Sequence, residues 1–139
     1  VMRLLPAMPF LLLAVLVLGG CNRPSYTTPD KAYQSFLEAL RRGDEKTAWS
    51  VLSQPTQEAL KARAETAAKA SGGTVKADPL AFFFANVPPP PDVTEVSLLS
   101  EEGDVAEVGV VSSNVKSQVR MVREPSGWKI DLTKSLQQP

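Results

Sequence analysis

Catalysis or metal binding needs a nucleophile, a proton carrier or a ligand, and this chain of 139 residues offers few. It has no histidine, which removes the commonest general base and the commonest metal ligand together. A Ser-His-Asp triad is therefore impossible. The one cysteine, Cys21, cannot close an internal disulfide or build a zinc site. Among the carboxylates, Asp131 is the one embedded in the apolar run of the last strand-like segment, where an acid can serve as a general base. The alternation of residues 115–133 sets it across from Arg120, on the face opposite Trp128, Ile130 and Leu132. There it reads as half of a cross-strand ion pair worth at most about 1 kcal/mol. Tyr33 offers a hydroxyl, but it falls on the apolar stripe of a helix and reads as core. No carboxylate pair stands out, and the serines and lysines form no nucleophile motif. No catalytic residue, metal or cofactor is expected.

Aromatic side chains are the stronger candidates. Tyr33, Phe36, Trp49, Phe82, Phe83, Phe84 and Trp128 account for seven of the nine aromatic residues. Either they fill the core, or some of them line a cavity. Phe82, Phe83 and Phe84 are consecutive, and successive helical residues point about 100° apart. All three cannot face inward, so at least one is expected at the surface or at a pocket mouth, where it would serve a partner or a membrane. The candidate ligand- or partner-binding set is Tyr33, Trp49, Phe82, Phe83, Phe84 and Trp128.

Two kinds of element must position these residues. Thr28-Pro29-Asp30 is a helix start, with a capping hydroxyl, proline in the first turn and an acid behind it. Ala32, Tyr33, Phe36, Leu37 and Leu40 then recur at three and four residues, predicting a helix over 29–42 with one apolar stripe. Gly43 ends it, and Asp44 caps a second helix carrying Ala48, Trp49, Val51 and Leu52. Residues 53–70, rich in Ala, Glu, Lys and Arg, predict a third helix whose only large apolar residue is Leu60. Asp78-Pro79 starts a fourth, leading into the phenylalanines. Pro88–Pro91 is a polyproline II run about 12 Å long, read as a stiff spacer.

Beyond it the apolar period changes to two. Four strands are predicted over 93–100, 104–112, 115–124 and 127–133. A three-residue loop at Glu101-Glu102-Gly103 would set Leu98 opposite Ala106 and Val96 opposite Val108. A turn at Glu124–Gly127 would pair Met121 with Ile130, Val119 with Leu132 and Arg120 with Asp131. Slipping that register by one residue would put the two apolar sets on opposite faces. The expected class is α+β: N-terminal helices packed on one face of a curved four-stranded antiparallel sheet.

Composition bounds function further. Fifteen basic and fifteen acidic residues balance, with a pI near 6.5, which argues against a nucleic-acid partner, since that needs a basic face. At the N-terminus Arg3 precedes an unbroken apolar run, Phe10–Leu18. This is short for a bilayer about 30 Å thick and has the flanks of a signal peptide. Leu18-Gly19-Gly20-Cys21 resembles the bacterial lipobox, Leu-small-small-Cys. The resemblance implies that Cys21 takes a diacylglycerol, that the signal is cut before it, and that two or three acyl chains anchor the mature protein. At about 0.8 kcal/mol per buried CH₂, two chains hold stably where one does not. The expected division is a signal peptide over 1–20, a lipidated tether over 21–28 and a domain over 29–135. Asn22, rather than Asp, after the cysteine implies the outer membrane, facing the periplasm.

The stretches "TPDKAYQSFLEALRRGDEKTAWSVLS" and "VRMVREPSGWKIDL" make the domain similar to the superfamily of nuclear transport factor two and ketosteroid isomerase. Within it the chain looks like small bacterial lipoproteins that carry a domain of unknown function. The resemblance covers about residues 29–135 and implies a cystatin-like cone with a pocket between helix and sheet. Two functions follow as expectations. One is a non-enzymatic envelope lipoprotein with a binding or accessory role, taking a protein partner or a small apolar ligand or serving a larger envelope complex. The other is an isomerase- or hydratase-like enzyme, for which the cone would have to hold an unpaired carboxylate.

Overall fold

The computed structural model describes residues 26–87 and 92–138. Cys21 and the lipobox-like residues, the first part of the tether and the Pro88–Pro91 run lie outside them. Helices come first: α1 (Pro29–Arg41), α2 (Glu45–Ser50), α3 (Gln54–Ala70) and α4 (Pro79–Asn86). A meander follows: β1 (Val93–Glu102), β2 (Val105–Ser112), β3 (Val115–Glu124) and β4 (Gly127–Ile130). A short helix α5 (Thr133–Gln137) ends the described chain. The four strands form one antiparallel sheet in the order β1-β2-β3-β4, and the sheet does not close on itself. The class is α+β.

Local chemistry sets the helix ends. The Thr28 carbonyl accepts from Ala32 N–H at 3.0 Å, but the Thr28 hydroxyl makes no cap bond. The expected hydroxyl cap is not formed, and the Thr28 hydroxyl is buried without a hydrogen-bond partner. At the other end Asp44 N–H reaches Ala39 O at 2.8 Å and Gly43 N–H reaches Leu40 O at 3.1 Å. Gly43 takes φ +68° there, the left-handed conformation such a cap requires. The Asp44 carboxylate accepts from Thr47 N–H, and the Asp78 carboxylate from Leu80 and Ala81 N–H, as two expected caps should.

Burial follows the expected stripe of α1. Ala32, Tyr33, Phe36 and Leu37 are buried and Leu40 is partly so. This face lies on the sheet, where it meets Ala106, Val108 and Val110 of β2, Met121 of β3 and Trp128 and Ile130 of β4 in one core. α3 packs instead on α4 and α5, burying the narrow line Thr56, Leu60 and Ala64.

The β3–β4 pairing has the expected register, with Met121 opposite Ile130. The β1–β2 pairing differs. Leu98 faces Val108 and Val96 faces Val110, two residues from the expected partners. The loop is the two residues Gly103-Asp104, and irregularities between Val93 and Glu95 and between Leu98 and Ser100 take up the slack. A shift of two keeps every side chain on its face, so alternation is blind to it. The last strand also ends early, at Ile130 rather than residue 133. There the Asp131 carboxylate accepts from Thr133 N–H at 3.0 Å and from its hydroxyl at 2.7 Å, which turns the chain into α5.

The outer edge of β4 is covered. Trp128 N–H donates to Tyr26 O, Ile130 N–H to Val51 O, and Ser53 N–H to Ile130 O, all within 2.8–2.9 Å. Leu52 thereby forms a parallel bridge with Ile130.

Candidate functional site: an apolar cleft between helices and sheet

Tyr33, Phe36 and Leu40 project from one face of α1 because they sit three and four residues apart. Phe83 and Val87 come from α4 and its end, Val119 from β3, and Ile130 and Leu132 from β4 and the turn after it. Between them lies a cleft of about 130 Å³. Every lining side chain except the Tyr33 phenol is a hydrocarbon. Burial pushes the Tyr33 hydroxyl above its usual pKa, so it stays protonated through the neutral range.

Phe83 is the hub of the aromatic contacts. Its ring stands edge-on to Phe84 at 4.9 Å and to Trp49 at 6.3 Å, and meets Phe36 at 6.5 Å. Tyr33 joins through Phe36 at 6.1 Å. The candidate set therefore divides. Tyr33 and Phe83 line the cleft, and Trp49 and Phe84 support Phe83 from behind. Phe82 points to the other side of α4, into a shallow groove against Ala62, Arg63, Thr66, Ala67 and Ala70 of α3. Trp128 is only 2% exposed and lies in the core, with the Arg123 guanidinium 4.7 Å above its ring. Of the three consecutive phenylalanines, Phe83 alone is fully buried.

Asp131 is held away from the cleft. Arg120 Nε donates to its Oδ2 at 3.1 Å, as the cross-strand pairing predicts, and Thr133 supplies two bonds to Oδ1. The Thr56 hydroxyl reaches Oδ1 at 3.5 Å. Burial opposes ionisation, but the bonds from Thr133 and Arg120 outweigh it and hold the carboxyl below its usual range. A carboxylate so engaged is a poor proton acceptor. Among the described residues, no group of three Asp, Glu, Cys or His could hold a metal, and no helix is long and apolar enough to cross a membrane.

One polar cluster went unnoticed in the sequence. Lys129 is 6% exposed, its Nζ donating to Ser50 O at 2.7 Å and standing 4.5 Å from the centre of the Tyr26 ring. Burial lowers its pKa, with Glu124 acting the other way. Alternation puts Lys129 on the solvent side of β4. Tyr26 and Ser50 together cover it there, and no local pattern announces either.

A wider hollow of about 360 Å³ lies on the sheet face away from the helices, where the Leu99 side chain crosses Gly109. It is shallow and mixed in character, with Glu95, Lys116 and Gln118 on its walls.

No family model matches the chain, and neither a curated protein nor a solved structure matches it.

Proposed function

We propose that this is a lipid-anchored lipoprotein of the bacterial cell envelope whose domain binds and does not catalyse, taking an apolar side chain of a protein partner into the cleft between α1, α4 and the sheet. The cleft itself carries the proposal. Pockets for whole small-molecule ligands run from about 300 to 1,000 Å³, whereas this one is near 130 Å³. An engineered apolar cavity of about 150 Å³ holds benzene. The space thus suits one aromatic or branched aliphatic side chain, the usual anchor of a protein interface.

The lipobox-like Leu18–Cys21 supports the anchor and the envelope location, with Asn22 favouring the outer membrane. The order of elements, helices followed by an open antiparallel sheet, is compatible with the cone of the nuclear transport factor two and ketosteroid isomerase superfamily. The cleft lies between helix and sheet, where that superfamily has its pocket. An isomerase- or hydratase-like reaction would need a carboxylate facing the cleft, and the lining contains none.

The test uses the soluble domain, residues 22–139. Benzene is titrated while the ring and methyl resonances of Phe83, Val119 and Leu132 are followed by NMR. Saturable shifts confined to these residues, and lost in Leu40→Trp, support the proposal. Unchanged spectra sink it. Native mass spectrometry of the same domain separates the neighbouring case, since a co-purified small molecule that leaves on denaturation would replace the partner's side chain as the occupant.

A further inference from the structure

The chain enters the domain through a staple. Tyr26 is held by its carbonyl to Trp128 N–H at 2.9 Å, by its hydroxyl to Ser50 Oγ at 3.1 Å, and by its ring under Lys129 Nζ. Gly127 completes the fit. A Cβ there would lie 2.6 Å from both Tyr26 Cβ and Tyr26 O, and φ at Gly127 is +123°, so glycine is required twice over.

We infer that this staple sets which end of the domain lies against the membrane and turns the mouth of the cleft to the aqueous side. The proposal rests on the lipid-anchor assignment of Cys21. Tyr26 sits at the turn end of the sheet, beside Trp128, next to the Pro125-Ser126 turn. The Gly103-Asp104 turn shares that end, since Arg123 N–H donates to Asp104 O at 2.8 Å. The cleft opens towards the other end. Leu40 closes α1, whose last turn lies beside Val93 and Thr94 at the start of β1, and Val87 follows α4.

Lengths decide the matter. From Cys21 to Tyr26 is five residues, a reach of at most about 17 Å. The eight residues of β2 span about 27 Å. A domain stapled at Tyr26 therefore keeps its turn end nearer the lipid than its far end. Were the staple undone, the free segment would run to Pro29, with a reach of about 28 Å, and either end could meet the bilayer. Charge does not supply the orientation. The turn end carries Glu101, Glu102, Asp104 and Glu124 against Arg123, a balance that an anionic surface would repel.

The full chain, made in a bacterium and purified with its acyl chains, is reconstituted in phosphatidylcholine vesicles containing a headgroup nitroxide lipid. A fluorophore is placed at Ser126→Cys, on the turn end, or at Lys116→Cys, near the far end; both positions are exposed. Quenching at 126 should be roughly three times that at 116, the contrast a tether shorter than the sheet produces. In Tyr26→Gly, and independently in the near-isosteric Lys129→Met, the ratio should fall towards one. Equal quenching in the acylated, stapled protein overturns the orientation, as does a ratio unmoved by both variants. A protein without acyl mass on Cys21 that fails to float with vesicles overturns the lipid anchor, and the orientation with it.

Discussion

Arg120 and Asp131 are joined twice: Arg120 Nε donates to Asp131 Oδ2 at 3.1 Å, and Asp131 N–H donates to Arg120 O at 2.9 Å. The side-chain bond and the ladder bond together fasten β3 to the segment where β4 becomes α5. The Asp131 carboxyl is held below its usual range, so its folded pKa lies beneath the unfolded value near 3.9. Stabilisation by such a group is complete above the unfolded pKa and is lost as pH falls through the folded one. Asp131→Asn should cost about 1–2 kcal/mol at pH 7, with the gap to wild type closing as both are unfolded at steps from pH 5 to pH 2. A gap that is constant with pH would contradict this.

Lys129 predicts a slope of the same sign in a different window, at the alkaline end. Burial lowers its folded pKa below the unfolded value near 10.4, so the unfolded chain binds more protons in that window. Stability from this residue therefore rises with pH towards 10.4. Urea midpoints for wild type and Lys129→Met between pH 8 and 10 should diverge, with the wild type gaining and the variant flat. Parallel curves would remove Lys129 as the cause.

The three phenylalanines should separate sharply. Phe83 is 1% exposed at the centre of three aromatic contacts, so Phe83→Ala should cost about 3–5 kcal/mol. Phe82 covers only the α3 groove, and Phe82→Ala should cost about 1–2 kcal/mol. Equal losses in chemical denaturation would show that α4 faces another way.

Leu60 should matter more than its helix suggests. It is 1% exposed, the one large apolar side chain on the narrow buried line of α3. Leu60→Ala should cost about 2–4 kcal/mol, whereas Ala62→Ser on the exposed side should stay within about 0.5 kcal/mol. Thermal melts of the two variants test the contrast.

Much of this architecture is legible because local rules agree with one another. Asp44 and Asp78 mark helix starts by their capping chemistry, and the β3–β4 register follows because the Glu124–Gly127 turn sets Met121 opposite Ile130 and a one-residue slip would part their faces. The β1–β2 register escapes because a two-residue shift leaves the alternation intact. α5 escapes because it depends on the Asp131 side chain and on the Thr56 hydroxyl, which accepts from Leu132 N–H at 2.9 Å from far away in sequence. Aromatic residues announce themselves as a group, but their division between cleft, support and core waits on the angle at which α4 meets α1. The Tyr26–Lys129 contact joins the two ends of the described chain, and neither residue's neighbours encode the other.

The covering of β4 also governs when the domain can assemble. Its ladder partners on the outer side are Tyr26, at the start of the described chain, and Val51 and Ser53 after α2. A chain synthesised from its N-terminus exposes those partners long before residues 127–130 exist. The first two helices therefore lack part of their seat, the β4 side of the core, until the last strand arrives. Such distant closures favour folding in milliseconds to seconds over the microseconds of a local helical bundle.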